Sequence, residues 1–592
     1  MPILAAMKST APWMVVCGLP ALALCGACSG DSVAAGGSDQ VGFLFVDVAA
    51  EAGLEVVNVC GDPRRWYIPE SNGCGAAWLD YDGDGDQDLF IGNGARLSYI
   101  DDGRRLEVVP AGQSRLYRNE GELRFTDVSA EAGADRLDWV NSVTVADIEG
   151  DGDPDIYLSC FGPDVLLVNE RGVFHDGTAA AGLGNEAWSA GACFGDLNRD
   201  GTLDLFVGNY VDFDLNQPPD GGRRVLVEGV EVGWGPEGEN GQGINPGASN
   251  LYYLGAGAGH FREATQAAGL RLEQALCSYA VVFSDVNGDG APDILVANDM
   301  QPANLFMNDG AGSFTDAAVE RGFAFNGDGA PTSAMGLAVA DVDSDGDFDC
   351  LRTNFDFEPN SLHLNNGAGQ FREVAAAGGL AAGSLDRLGW GGGFFDADSD
   401  GDLDLLIANG HVFPQAEEIG MHAFAQQSQL FECVGSAAAV TSWRDASAEA
   451  GPGLALARSA RGVAFGDPDD DGDLDVLIVD LDHAPRLLEN RTPRRGAWLG
   501  LALAGLGGNR DGLGARVSVE AGGRTWVQEA RRTQGLYSSH DPRLVFGLGA
   551  ARTVERVTVL WPDGTRQVLT GLATNAYHTI AQPARGAGTG GK

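Results

Sequence analysis

The sequence predicts an all-β protein: a seven-bladed β-propeller followed by a small C-terminal β domain. Three observations carry that expectation. A nine-residue acidic motif recurs seven times, each copy set between two short apolar runs of strand type. A strand-like segment stands alone ahead of the first motif while its counterpart is missing after the last, an exchange that closes a ring. The balance of charge also reverses near residue 493, which marks a second domain.

In chain order, residues 7–28, "MKSTAPWMVVCGLPALALCGAC", carry one positive charge, an apolar stretch over residues 11–24 and small residues before Cys28. Residues 1–28 thus resemble a bacterial lipoprotein signal in which Cys28, at the cleavage point, becomes lipidated. Cys25 stands where such signals usually have leucine, so an ordinary cleaved signal is the alternative. Residues 29–41, rich in Gly, Ala and Ser, read as a flexible tether. Seven cysteines follow Cys28. Cys60 and Cys74 are a possible disulfide in an oxidising compartment, and Cys160, Cys193, Cys277, Cys350 and Cys433 read as small buried side chains.

Residues 42–492 are the expected propeller. Acidic residues number 84 against 38 Lys and Arg, a net charge of −46 that argues against nucleic acid and anionic membrane surfaces and in favour of cations. Much of that charge sits in the motif, which reads "DYDGDGDQD", "DIEGDGDPD", "DLNRDGTLD", "DVNGDGAPD", "DVDSDGDFD", "DADSDGDLD" and "DPDDDGDLD". Positions 1, 3, 5 and 9 are Asp80, Asp82, Asp84 and Asp88; Asp147, Glu149, Asp151 and Asp155; Asp196, Asn198, Asp200 and Asp204. They continue as Asp285, Asn287, Asp289 and Asp293; Asp341, Asp343, Asp345 and Asp349; Asp396, Asp398, Asp400 and Asp404; Asp467, Asp469, Asp471 and Asp475. Position 6 is always glycine. Left bare, close carboxylates repel by roughly 4 kcal/mol per pair at a protein surface. A loop offering alternate oxygen side chains around a sharp turn suits calcium, which takes several oxygens, so the expected cofactor is calcium, up to seven ions.

An EF-hand is excluded, because position 12 is Ile91, Leu158, Val207, Val296, Arg352, Ile407 or Ile478 and not glutamate. Runs such as "SVTVAD" and "DIYLSC" enter and leave the loop as strands, which makes each motif a cation-clipped hairpin. A second hairpin signature follows, as in "PANLFMNDGAGSFTDAAVERGF", giving four strands per unit. After the seventh loop comes "APRLLEN" without its partner, and "FLFVDVAAEAGL", residues 43–54, supplies the missing strand from the other end.

These residues carry a family resemblance. The acidic hairpins resemble the FG-GAP/VCBS repeats of the integrin-alpha propeller, and "GWGGGFFDADSDGDLDLLIANGHVFP" resembles the cartilage acidic protein family. Residues 493–582, with "NRDGLGARVSVEAGGRT", "SSHDPRLVFGLG" and "VTVLWPDG", resemble that family's ASPIC/UnbV domain, and residues 583–592 read as a disordered tail. The resemblance implies calcium binding and extracellular recognition.

Acidic loops and 3–4 turns are expected on one face; the insertions at residues 94–113, 210–249 and 410–427 are expected on the other, where binding loops gather. Trp139, Trp188 and Trp390 precede inner strands and either plug the channel or ring its mouth as a ligand platform. His411, Glu417, Glu418 and His422 share one insertion and read either as a transition-metal site or as ordinary loop and core residues. Residues 493–592 hold 13 basic and 6 acidic residues, so this part is net positive and is expected to dock on the acidic propeller, to bind anionic glycans or simply to pack between domains. With no HExxH, GxSxG or phosphate-cradling Gly-Lys motif, no catalytic residue is assigned. The expected function is an exported calcium-binding recognition or adhesion module, monomeric, touching membrane only through a lipid anchor, with an extracellular protein or glycan as partner. It would be an outer-membrane or cell-surface lipoprotein, or periplasmic or secreted if Cys28 is not lipidated. The alternatives are a carbohydrate-active protein, such as a polysaccharide lyase, working through the long-loop face, and a purely structural surface module.

Overall fold

Every acidic motif lies between two antiparallel strands in the structure, a computed structural model that describes residues 42–101, 105–218, 225–227, 230–232, 246–437 and 440–584. The signal, Cys28, the tether and the tail from residue 585 lie outside the described residues. The first pair is Ala76–Leu79 with Asp88–Ile91, and the pattern repeats in Val140–Ala146 with Asp155–Cys160 and on to Ala460–Gly466 with Asp475–Asp480. Both strands of a pair are buried on both sides, as in Val140–Ala146 and Asp155–Cys160, because each sheet is sandwiched between two others. That is why these strands show no alternating polar face, and even Asn141, Ser142 and Thr144 are buried. A third and a fourth strand complete the sheet in simple order, Arg115–Asn119 and Phe125–Asp127 in the first.

Among the described residues, seven such sheets each carry one acidic loop. Their innermost strands pack in cyclic order, starting at Ala76–Leu79 and ending with Ala460–Gly466 back against Ala76–Leu79. The closing sheet takes its outer strand from the N-terminus: Phe45–Asp47 pairs antiparallel with Arg486–Asn490, Phe45 opposite Asn490. Small residues let the inner strands converge. A Cβ on Gly191 would stand 2.5 Å from the Tyr279 carbonyl of the next sheet.

Residues following the fourth strands form one-turn helices such as Ala49–Ala52 and Thr178–Ala181, each closed by a left-handed glycine, Gly53 or Gly182. On the loop-rich face the insertion after the first acidic hairpin forms its own ribbon, Ala95–Ile100 with Arg105–Pro110. Trp139, Trp188 and Trp390 are buried there in a continuous aromatic chain: Trp139–Phe161 at 5.1 Å, Phe161–Trp188 at 4.9 Å, Trp188–Tyr210 at 5.0 Å, Tyr210–Tyr279 at 4.2 Å and Tyr279–Trp390 at 6.0 Å. Packing, not an open platform, is their role.

The C-terminal domain has two sheets. Trp498–Ala504 lies between antiparallel Leu544–Gly547 and parallel Tyr577–Ala581, while Arg516–Ala521 lies between Arg524–Glu529 and Arg556–Leu560, with Arg566–Leu569 at the edge. Leu499, Leu501, Val517, Val519, Phe546, Val557 and Trp561 form its core. The domain sits on the acidic-loop face, and residues 531–541 reach down between the inner strands. Gly535 pairs with Leu337, and Ser539 with Ala76 and Trp78.

The expected Cys60–Cys74 disulfide is corrected: both thiols are free and buried. Each has its own partners. Cys60 Sγ accepts the Gly73 N–H at 3.1 Å, and Cys74 Sγ donates to the Gly92 carbonyl at 2.8 Å.

Candidate metal centres

The acidic loop owes its shape to hydrogen bonds that the motif itself supplies. In all seven, the amide of the position-6 glycine donates to the position-1 carboxylate at 2.8–3.2 Å. That geometry needs a left-handed turn, as at Gly152 with φ +105°, where a side chain would be strained. Position 9 is the anchor. One of its oxygens accepts an N–H from the third strand at 2.7–3.0 Å in every sheet. The other accepts the position-2 amide at 3.0–3.3 Å in six sheets. In the seventh, position 2 is Pro468, which has no N–H, and Asp475 Oδ2 is buried without a partner.

Five loops draw three acidic side chains to within 4.8 Å of one another: Asp80, Asp82 and Asp88; Asp147, Glu149 and Asp155; Asp341, Asp343 and Asp349; Asp396, Asp398 and Asp404; Asp467, Asp469 and Asp471. Four trios use positions 1, 3 and 9, and Asp84, Asp151, Asp345 and Asp400 at position 5 lie outside them. In the other two loops position 3 is an amide, and Asn198 and Asn287 donate to Asp200 and Asp289 at 2.9 and 2.8 Å. Asp196 and Asp204, and Asp285 and Asp293, keep the same backbone hydrogen bonds as elsewhere.

These carboxylates are held at an electrostatic cost. Burial pushes Asp88 up to about 8, Asp155 and Asp349 to about 9, and Asp293 to about 8, with neighbouring carboxylates adding to the rise. Asp196 and Asp341, at position 1, are pushed up to about 6 and about 7 by the same desolvation. Asp341 Oδ1 is a second buried carboxylate oxygen with no partner. All-oxygen donors, converging charge and orphaned oxygens fit a hard divalent cation.

Sequence reasoning missed the asparagines that end the third strands. Asn119, Asn169, Asn308, Asn365 and Asn490 each donate through Nδ2 to the position-2 carbonyl of the preceding sheet: Pro468, Tyr81, Leu197, Val286 and Ala397, at 2.7–3.0 Å. Asn119 thereby ties the first acidic loop to the last. Their signal was visible in "LYRN", "LLVN", "LFMN", "LHLN" and "LLEN". Asn169→Ala strips the Tyr81 and Pro154 carbonyls and is expected to cost about 1–3 kcal/mol in a urea unfolding curve; a loss within error would remove the latch.

The histidine insertion gathers differently from the sequence expectation. His422 Nδ1 and its backbone N–H bind the buried Asp356, His411 Nε2 stands 3.8 Å from the same carboxylate, and Glu417 and Glu418 point outward, exposed.

Fold and loops together define the class: a β-propeller of FG-GAP-like repeats carrying a C-terminal ASPIC/UnbV domain. Residues 80–158, 285–352 and 341–407 match the FG-GAP-like repeat, and residues 505–587 match the ASPIC and UnbV family. Cartilage acidic protein 1 of Mus musculus is 24% identical over 325 residues, 50% of this chain and 45% of that protein. For its Homo sapiens counterpart the figures are 24% over 393 residues, 61% and 51%. The chain thus spans about half the length of the curated relatives it matches. Among solved structures, an Agrocybe aegerita lectin studied for recognition of non-reducing terminal N-acetylglucosamine is 15% identical, with a TM-score of 0.33, over 75% of this chain and 97% of that one.

Proposed function

We propose that this chain is an exported, calcium-binding propeller that recognises an extracellular protein or glycan, monomeric and held near a membrane, where it is, through a lipid on Cys28. The observation that carries the calcium reading is the repeated oxygen cage, with its raised carboxylates and the partnerless oxygens of Asp341 and Asp475. FG-GAP-like repeats beside an ASPIC/UnbV domain support the recognition reading. The residues that would hold the ions are those at positions 1, 3, 5 and 9, with the position-7 carbonyl beside them. Bound calcium supplies the positive charge that lets these carboxylates stay ionised; the chain's own part is to hold the loops open by the glycine turn and the strand-3 anchor.

Thermal unfolding tests this. Extracellular calcium modules bind with Kd on the order of 10⁻⁴ to 10⁻³ M, and calcium at about ten times Kd adds about 1.4 kcal/mol per site. A melt identical in excess calcium and in chelator would end the calcium reading. Recognition is tested separately, by screening the calcium-loaded chain against glycans and surface proteins; a blank screen favours a structural module.

The raised carboxylates set a pH dependence. Without metal, a carboxyl raised on folding gives full stability below its unfolded value of about 4 and loses it as pH climbs through its folded value. For Asp88, Asp155, Asp293 and Asp349 that loss runs from about pH 4 and is complete at about 8 to 9. Calcium holds the ionised form, so its affinity is expected to rise between about pH 6 and pH 9, with protons released on binding. Calorimetry in two buffers of different ionisation enthalpy reads that release directly, and a pH-independent affinity would contradict it.

A further inference from the structure

The seven cages are not equally open. Asp82 and Asp84 of the first loop, positions 3 and 5, are exposed, whereas in the Asp396 loop Asp398 is 2% exposed and Asp400 half-buried, where the C-terminal domain lies against them. The fit leaves no room for side chains. A Cβ on Gly547 would stand 1.7 Å from Asp396 Oδ2, and one on Gly496 2.2 Å from the Ser399 carbonyl.

Into this covered loop the domain inserts a charge. Arg495 Nη1 lies 2.9 Å from Asp398 Oδ2 and 3.2 Å from Asp400 Oδ2, the carboxylates of positions 3 and 5, while its backbone N–H donates to the Asp398 carbonyl at 2.7 Å. Trp526 Nε1 and Arg524 donate to the position-6 carbonyl of Gly401 at 2.7 and 3.2 Å, and Arg524 also pairs with Asp402, position 7, at 2.7 Å. Asp396, Asp398 and Asp404 still close into the same trio as in three other loops, so the cage is built, with the Arg495 guanidinium against Asp398 of that trio and Asp400 beside it.

We propose that Arg495 is the resident cation of the Asp396 loop. The guanidinium bridges two carboxylates that a divalent ion would need and neutralises them, so cation binding at this loop and insertion of Arg495 exclude each other. The loop is thereby a docking socket for the chain's own basic domain, while open loops such as Asp80 remain for metal. This rests on the calcium reading above.

The test is calcium stoichiometry of the full-length chain, by equilibrium dialysis with elemental analysis. Asp82→Asn with Asp84→Asn is expected to lose one ion per chain. Asp398→Asn with Asp400→Asn is expected to lose none, and Arg495→Gln to gain one. A lost ion in the Asp398/Asp400 variant, or no gain in a folded Arg495→Gln chain, overturns the proposal while leaving calcium binding intact. If Arg495→Gln does not fold, the comparison of the two double variants still decides. A chain that binds no calcium in any form removes the calcium reading itself and this inference with it.

Discussion

Phe45→Ala is expected to lower the unfolding free energy by about 3–5 kcal/mol. Phe45 is fully buried and meets Phe395 edge-on at 6.2 Å, within a cluster that includes Leu406, Leu430, Leu454, Val463 and Leu488. Its N–H donates to the Ala450 carbonyl at 2.8 Å, and its own carbonyl accepts from Gly453 at 2.9 Å. Those contacts join two sheets, so truncating this ring both leaves a cavity and loosens the strand that closes the circle. The same sheet holds Arg486 and Asp480, a buried bidentate pair at 2.7 and 2.9 Å that depends on that enclosure. Leu44→Ala, at a residue 38% exposed just before that strand, is expected to change stability by no more than about 0.5 kcal/mol. Guanidinium unfolding measures both. Equal effects of the two substitutions would mean that the N-terminal strand is decoration and that the ring stays closed without it.

What could be read from the sequence, and what could not, follows from how local the cause is. The acidic loops were legible because a glycine turn ringed by oxygen side chains needs particular residue types at fixed spacing, and that pattern is written within nine residues. Ring closure was legible as an arithmetic imbalance, one strand too many before Asp80 and one too few after Asp475. The Asn119-type latches repeat visibly in the sequence but their role was not legible, since an asparagine at a strand end reads as a turn residue, and its real partner lies in the preceding sheet. Cys60 and Cys74 were a possible disulfide in an oxidising compartment, but the fold gives each sulfur its own hydrogen-bond partners. The histidine insertion misled for a similar reason. His411 and His422 do converge, on Asp356, which comes from another sheet and could not be seen as their partner. The basic C-terminal segment showed its charge but not its target, because which loop an arginine meets depends on the pose of a whole domain.

Charge explains why that domain lands where it does. Arg510 donates to the Gly150 carbonyl, Arg516 to Gly346, and Arg494 meets Asp471 and Asp473 at 2.7 and 3.0 Å, while the Gly508 amide reaches Gly201. Backbone oxygens of the loops, crowded by carboxylates, make a strongly negative face that a net-positive domain neutralises. Exposed pairs of this kind each add little. The anchoring must therefore come from elsewhere, and residues 531–541 supply it.

Gly535→Val is accordingly expected to undock the C-terminal domain. Inner strands are sheet edges, and their unpaired N–H and C=O groups need partners once covered. The inserted segment provides them. Gly535 exchanges two hydrogen bonds with Leu337, at 2.6 and 2.8 Å. Tyr537 accepts from Val143, and Ser539 Oγ accepts from Val145 while donating to the Val143 carbonyl at 3.1 Å. His540 Nδ1 accepts the Phe465 N–H at 3.0 Å, which burial secures by keeping the imidazole neutral, its pKa lowered to about 4. Gly535 has φ +74°, and a Cβ there would stand 2.5 Å from the Gly392 carbonyl, so valine both strains the backbone and strikes the strand. Arg531 and Arg532, held against Val339, Ser284 and Asp511 in the docked state, then become available to trypsin. Limited proteolysis should show cleavage after these arginines at least ten times faster in the variant, with the acidic-loop sheets still folded by circular dichroism. Unchanged cleavage would mean that the arginine contacts of the rim suffice and that the insertion follows docking without causing it.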